Sequence, residues 1–414
     1  MINPRILWNN FFSKVSDVIF YSLLAFAFAI NLPLTISYDG FNYLSSGSSI
    51  FTFNFPEWYQ LMREPAYPLL VKIATFFPNA IFALTIIQSI MIGASITILN
   101  RVCIQHLQIH KFIAHTISII GLLLIRGYAS SVLQQSLIIL LSMVGLYLSL
   151  TIERDQIVRS SFFVFFAYGF AVSSTNLALF VSACLSIGIL VLLKTNLHLI
   201  RKIVLPLLLG ATTFLIPWYS FVYSVDLNKQ NIPSVRNASE IDFFGDDSFL
   251  ERNQQRVQSV AAMLFLAPEI GAGIKPESST IGTEQLIFGS PINNSAWDPC
   301  FRDMGGQAEV VEHVSELLAP RCVSKFSLRI QDLISFSVLP LLPIGGLTFL
   351  MALGQIAFLR RTKNLFLILF PLVSLAIYAF GGAGVTRYSP LVPILGPVLI
   401  YLLVRANVIN ENET

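Results

Sequence analysis

Residues 18–36, VIFYSLLAFAFAINLPLTI, run without one charged side chain for about the 20 residues that a helix needs to cross the hydrocarbon core of a bilayer. Arg5 and Lys14 precede the run, and Ala25-Phe26-Ala27 mimics the small-x-small cleavage site of a secretory leader. The apolar stretch continues past that point to Ile36, so it reads as an uncleaved first transmembrane helix. The rest of the chain repeats the pattern: of 414 residues, 55% are hydrophobic and 12% charged, about half the charged share of a soluble domain. This composition predicts an integral membrane protein. The formal net charge is +3 and no basic run is interleaved with aromatics, which sets nucleic acid aside as a partner.

Only helices or closed barrels cross lipid without orphaned backbone groups, and these runs are uniformly apolar rather than alternating. The expected fold is therefore an all-α polytopic membrane protein of about ten transmembrane helices. The candidate spans are 18–36, 80–99, 112–125, 131–151, 161–175, 176–193, 203–223, 332–358, 365–381 and 388–404. Cytoplasmic loops hold the excess of Lys and Arg. Placing the N-terminus inside puts Arg5 and Lys14, Arg101 and Lys111, Arg154 and Arg159, Lys194, Arg201 and Lys202, Arg360, Arg361 and Lys363, and Arg405 all on one side. Both termini are then cytoplasmic, and the expected location is the bacterial inner (plasma) membrane.

Three segments face outward: the first loop 37–79, the polar stretch 224–330, and the turns around Arg126 and Arg387. The chain divides into a transmembrane module 1–223 with its juxtamembrane first outer loop, an extracytoplasmic lobe 224–330, and C-terminal transmembrane helices 331–414. Cys300 and Cys322 both lie in the lobe, in a compartment where disulfides persist, and form a candidate pair. Cys103 and Cys184 read as small core hydrophobes. His106, His110 and His115 have near-helical spacing, and Asp242, Asp246 and Asp247 cluster. The first group lies on the cytoplasmic side and the second lacks the alternating spacing of a calcium loop. Neither predicts a metal, and no motif predicts a cofactor.

In the first outer loop, PEWYQLMREPAYPLLVKI (residues 56–73) reads as an amphipathic segment at the interface, with Trp58 and Tyr59 at headgroup level. Pro65 suits the first turn of a helix. A helix beginning beside Arg63 and Glu64 offers free N–H groups and a guanidinium to a phosphate. Arg126 and Arg387 depart from the positive-inside pattern. Each admits two readings: a side chain snorkelling to water, or, with Arg63 and Lys72, part of a cation cluster for a lipid-linked phosphate. Asp39 likewise reads either as a turn former before Gly40 or as a general base at the membrane surface.

Asp39 just after the first span, Tyr43 four residues on, REPAYPLL leading into the second span, and TRYSPLVPILGPVLIYLL in the last span together resemble the polytopic glycosyltransferases of the GT-C superfamily. The protein O-mannosyltransferases and aminoarabinose transferases belong to it. The resemblance covers the first hundred residues and the last thirty. It implies a polyprenyl-phosphate sugar donor and an extracytoplasmic glycan, lipid or protein acceptor. Asp39 maps onto the base, Arg63 with Glu64 onto the loop framing the donor, and Arg387 with Tyr388 onto the terminal R-Y-x-x-P element. Gly40 stands where many members of that superfamily carry a second acid, so a metal-assisted scheme is not carried over.

The expected function is inverting transfer of a sugar to an acceptor outside the cytoplasm. Asp39 is the expected catalytic base. Arg63, Glu64, Lys72, Arg126, Arg387 and Tyr388 are the expected donor-binding set, and Tyr43, Trp58 and Tyr67 stack on sugar or lipid. An O-antigen-type polymerase or ligase, using a diphosphate-linked oligosaccharide, shares many of these features. A transporter or flippase would place its polar groups near the bilayer midplane in broken, repeated helices. A non-catalytic membrane scaffold needs neither Asp39 nor Arg387.

Overall fold

The computed structural model describes residues 4–32, 43, 66–151, 209–210, 212–213, 216, 330, 333 and 391–411. Among these the chain is helical, with no strand. Helix α1 spans Pro4–Ile30, α2 Ala66–Ala74 and α3 Ala80–Arg101, which runs on through a π-turn at Val102–His106. Helix α4 spans Lys111–Ile125 and leads into a 3-10 turn at Arg126–Ala129. Helices α5, Gln135–Thr151, and α6, Leu391–Glu411, complete the described elements. Two continuous helical stretches, Ala80–His106 and Lys111–Ala129, are long and apolar enough to cross a membrane. The five expected spans between residues 161 and 381, and the lobe 224–330, lie outside the described residues apart from a few isolated helical positions.

The first helix differs from its apolar run at both ends. It begins within the polar segment before Lys14 and stops at Ile30, short of Ile36. Hydropathy marks the surface that lipid would cover, whereas a helix ends where its backbone bonds find other partners. Here Asn31 Nδ2 donates to Ala27 O at 2.7 Å. The Asn31 and Leu32 amides reach back to Phe28 O and Ala29 O at 3.1 and 3.2 Å. Pro33 then disfavours the helical conformation at Leu32.

Helix α3 is the hub, packed against α1, α2, α4, α5 and the 3-10 turn, while α6 lies against α4. It is started by Asn79, whose side chain accepts from the Phe82 amide at 2.9 Å, a cap worth about 1 kcal/mol. Thr85, Ser89, Gly93 and Thr97 follow at four-residue intervals and therefore share one face. Their small side chains let α1 approach closely, as helices do where packing rather than hydrophobic exclusion drives association. A Cβ built at Gly93 would collide with Ser22 of α1, backbone included. At the far end the chain leaves α3 through Gln108, at φ 55°. Arg405 of α6 donates to Leu107 O at 3.4 Å.

Polar side chains share the interior with the hydrophobic core, and several large apolar ones face outward. Thr85, Gln88, Ser89, Ser95, Thr97, Asn100, Ser118, Gln134, Gln135, Ser136 and Ser142 are buried, while Ile19, Phe20, Leu23, Ile90 and Phe112 are exposed. Most of the buried hydroxyls are satisfied within their own helix. Thr85 donates to Ile81 O, Ser89 to Thr85 O, Thr97 to Gly93 O and Ser118 to Ala114 O, at 2.7–2.9 Å. Such back-bonding lets a hydroxyl sit on a helix without water.

Gly93→Ala is expected to cost roughly 1–3 kcal/mol through overpacking against the α1 backbone. Gly121→Ala is expected to cost less, because its nearest obstacle is the end of the flexible Leu99 side chain at 3.3 Å. Thermal unfolding of the two variants in detergent micelles checks this, and equal shifts would contradict the close α1–α3 crossing.

Candidate functional site

Where α2 meets α3, one buried amide gathers four hydrogen bonds. Gln88 lies just over two turns into α3 from its Asn79 cap and is 2% exposed. Its Oε1 accepts from the Tyr67 hydroxyl at 2.7 Å and, more weakly, from Ser136 Oγ at 3.4 Å. Its Nε2 donates to Ala129 O at 3.2 Å and to Ser131 O at 3.0 Å. These partners belong to three segments: α2, the turn after α4 and the start of α5. A carboxamide carries two donors and two acceptor sites, so it is fully used.

Tyr67 reaches Gln88 because α2 begins at Ala66 and turns Tyr67, Pro68, Val71 and Ala74 inward. Pro68 is tolerated there because amides in a first helical turn have no intrahelical partner. The Tyr67 ring is packed edge-on by Tyr43, with centroids 4.9 Å apart and planes at 75°. Burial pushes the Tyr67 phenol well above its usual range and Tyr43 adds to the effect, against a smaller opposite pull from the Leu133 amide. The hydroxyl thus stays neutral and donates.

The turn on the other side of Gln88 is buried throughout from Arg126 to Ser136. Ser130 Oγ and Ser131 Oγ both donate to Gly127 O, at 3.0 and 2.8 Å, and the Ser130 amide adds a third bond at 3.1 Å. The amides of Leu137 and Ile138 close on Gln134 O and start α5. Arg126 is 0% exposed, and its Nη1 donates to Leu123 O at 2.7 Å. A snorkelling arginine would expose its guanidinium; this one is held inside the bundle.

Of the residues singled out from sequence, Tyr43 and Tyr67 are in direct contact, and Arg126 heads the turn that Gln88 ties to them. Lys72 is half-buried near the end of α2. Asp39, Trp58, Arg63, Glu64, Arg387, Tyr388, Cys300 and Cys322 lie outside the described residues. Gln88 is not among the residues singled out from sequence. An amide in an apolar helix was the available signal, since a polar group at that depth needs partners. His115 lies away from this cluster, with its Nδ1 at 2.7 Å from the Tyr21 hydroxyl, and His106 packs edge-on against Tyr147. Cys103 is a buried free thiol. Among the described residues no group of three or more His, Cys, Asp or Glu side chains is placed to hold a metal.

Chemically, the cluster can hold aromatic rings, a cation and a turn in fixed relation. It holds no carboxylate among the described residues and so provides no general base by itself. Comparison with family models, curated proteins and solved structures gives no match to this chain.

Removing one partner of a buried hydrogen bond costs about 1–3 kcal/mol when the other is stranded. Gln88→Leu takes the partner from the Tyr67 hydroxyl and from Ala129 O together, while Ser131 O keeps the Leu133 amide at 2.9 Å. In a cycle of Tyr67→Phe, Gln88→Leu and the double variant, the double is expected to be more stable than the sum of the singles predicts, by at least about 0.5 kcal/mol. Additive melting shifts would show that the bond does not contribute.

Proposed function

We propose that this chain is a polytopic membrane glycosyltransferase that moves a sugar from a polyprenyl-phosphate donor to an extracytoplasmic acceptor, with inversion. One observation carries the reading: the Tyr43–Tyr67 pair is tied through Gln88 to the turn of Arg126. Asp39 precedes Tyr43 by four residues, and Arg63 precedes Tyr67 by four. Four residues of chain span at most about 14 Å. The base and the donor-framing pair Arg63–Glu64 are therefore each within about 14 Å of chain from this tyrosine pair.

The buried polar side chains of α3 and the large apolar ones exposed on α1, α3 and α4 support lipid as the surrounding solvent, where polar pairing between helices aids contact. In the proposed reaction, the Asp39 carboxylate takes the proton of the acceptor hydroxyl as its oxygen attacks the anomeric carbon. The bond from that carbon to the phosphate oxygen breaks, and the prenyl phosphate leaves with the bonding pair. Arg63, Arg126, Arg387 and Lys72 offset its charge, Glu64 and Tyr388 complete the donor site, and Trp58 stacks on sugar or lipid. A single displacement inverts the anomeric centre, and the scheme needs no cofactor. In this reading the lobe 224–330 shapes acceptor binding, and the site faces away from the cytoplasm of a bacterial inner membrane.

Purified protein incubated with a panel of prenyl-phosphate sugars is expected to release carrier phosphate, and Asp39→Asn to slow that release about 10²–10⁴-fold. Undiminished transfer by Asp39→Asn removes the aspartate as base. Turnover only with a diphosphate-linked oligosaccharide moves the protein to the polymerase or ligase class. Passage of substrate across a proteoliposome with no bond formed moves it to the transporters.

A further inference from the structure

We propose that Gln88 is a positioning residue: its amide holds the segment of Tyr43, which follows Asp39, and the helix of Tyr67, which follows Arg63 and Glu64, against the turn of Arg126. The catalytic consequence rests on the glycosyltransferase reading, while the structural consequence rests on hydrogen-bond geometry alone.

The orientation of the amide is forced. Ala129 O and Ser131 O can only accept, so Nε2 must face them, at 3.2 and 3.0 Å. The hydroxyls of Tyr67 and Ser136 then meet Oε1. No other side chain meets this demand. Leu offers no bond, and Asn is one methylene too short to reach both sides. An ionised Glu of the same shape has no donor for the two carbonyls.

Gln88→Glu therefore converts the node into a pH-dependent one. A buried carboxyl facing two carbonyl oxygens is held protonated above the ordinary Glu value of about 4.3. The folded state then binds more protons than the unfolded state, so stability falls as pH rises from that value through the raised one. The protonated variant donates one O–H to the turn and keeps the node, and the ionised variant repels it. Tyr43 and Tyr67, Lys72 on α2, and Arg126 and Tyr128 in the turn are the ionisable side chains of the segments around Gln88. On α1 and α4 these include Asp17, Tyr21, Lys111 and His115, with Tyr21 and His115 paired away from the node. Wild-type protein at each pH controls for the titration of all of them.

The test uses the full chain in detergent at pH 5.5 and pH 8. Amide exchange is read in peptides containing Tyr43 and the turn from Arg126 to Ser131, and transfer with the sugar donor that the wild type turns over best. Gln88→Glu at pH 5.5 is expected to stay nearer wild type than at pH 8, short of it by the one carbonyl bond that a single O–H cannot replace. At pH 8 both peptides should exchange about 10-fold faster, and kcat/KM should fall on the order of 10²-fold. Gln88→Leu should show both losses at either pH, whereas Asp39→Asn loses transfer with exchange unchanged. If Gln88→Leu fails to fold, the two pH values of Gln88→Glu decide alone. Gln88→Glu indistinguishable from wild type at both pH values overturns the inference. If wild type transfers no sugar, the function reading falls, and the exchange data alone decide the positioning role.

Discussion

A carboxamide taken out of water must find partners for two donors and two acceptor sites, or leave polar groups stranded at a cost of about 1–3 kcal/mol each. Gln88 meets that requirement across three segments, and the arrangement at this end of the bundle follows from it. Helix α2 is short, with only nine residues, and a helix of that length is marginal by itself. Its place is set by the buried face of Tyr67, Pro68, Val71 and Ala74 and by the single directed bond from Tyr67. In the turn after α4, Gln88 gives Ala129 O a donor and adds a second one to Ser131 O, which also accepts from the Leu133 amide. One side chain thus sets the relation between a loop, a short helix and a turn that are far apart along the chain.

A lipid surrounding would change how strongly such a bond counts. Between helices in lipid there is little hydrophobic gain from burying Leu or Ile, so contact depends on close approach and on polar pairing. Gly93 supplies the approach, where α1 and α3 come so near that no Cβ fits. The hydroxyls of Thr85, Ser89 and Thr97 bond back to their own helix and leave that face smooth. Gln88 differs from these three hydroxyls, since its side chain reaches out of the helix to three other segments instead of folding back.

Arg126 gives the same end of the bundle its electrostatic character. The Arg126 side chain is shut away from water, and one of its donors is taken by Leu123 O. In low-dielectric surroundings such a charge acts strongly on any anion brought near it. The chemistry proposed for the site asks for this property, a fixed cation that does not have to reorganise when charge develops on a leaving phosphate.

Sequence alone determined that the chain is helical where it is described, and it placed α3, α4 and α5 within a few residues, because long apolar runs have few other solutions. It misplaced the ends of α1, since the polar residues before Lys14 join the helix and Asn31 with Pro33 ends it early; the reason is that hydropathy records a solvent boundary and not a backbone one. Tyr43, Tyr67 and Arg126 were legible as candidates from residue type and position. Their grouping was not, and Gln88 was passed over, because a polar residue's importance depends on which partners surround it after folding. Only the tertiary structure could decide that, by bringing Ala129 and Ser131, more than forty positions away, within hydrogen-bonding distance of one amide.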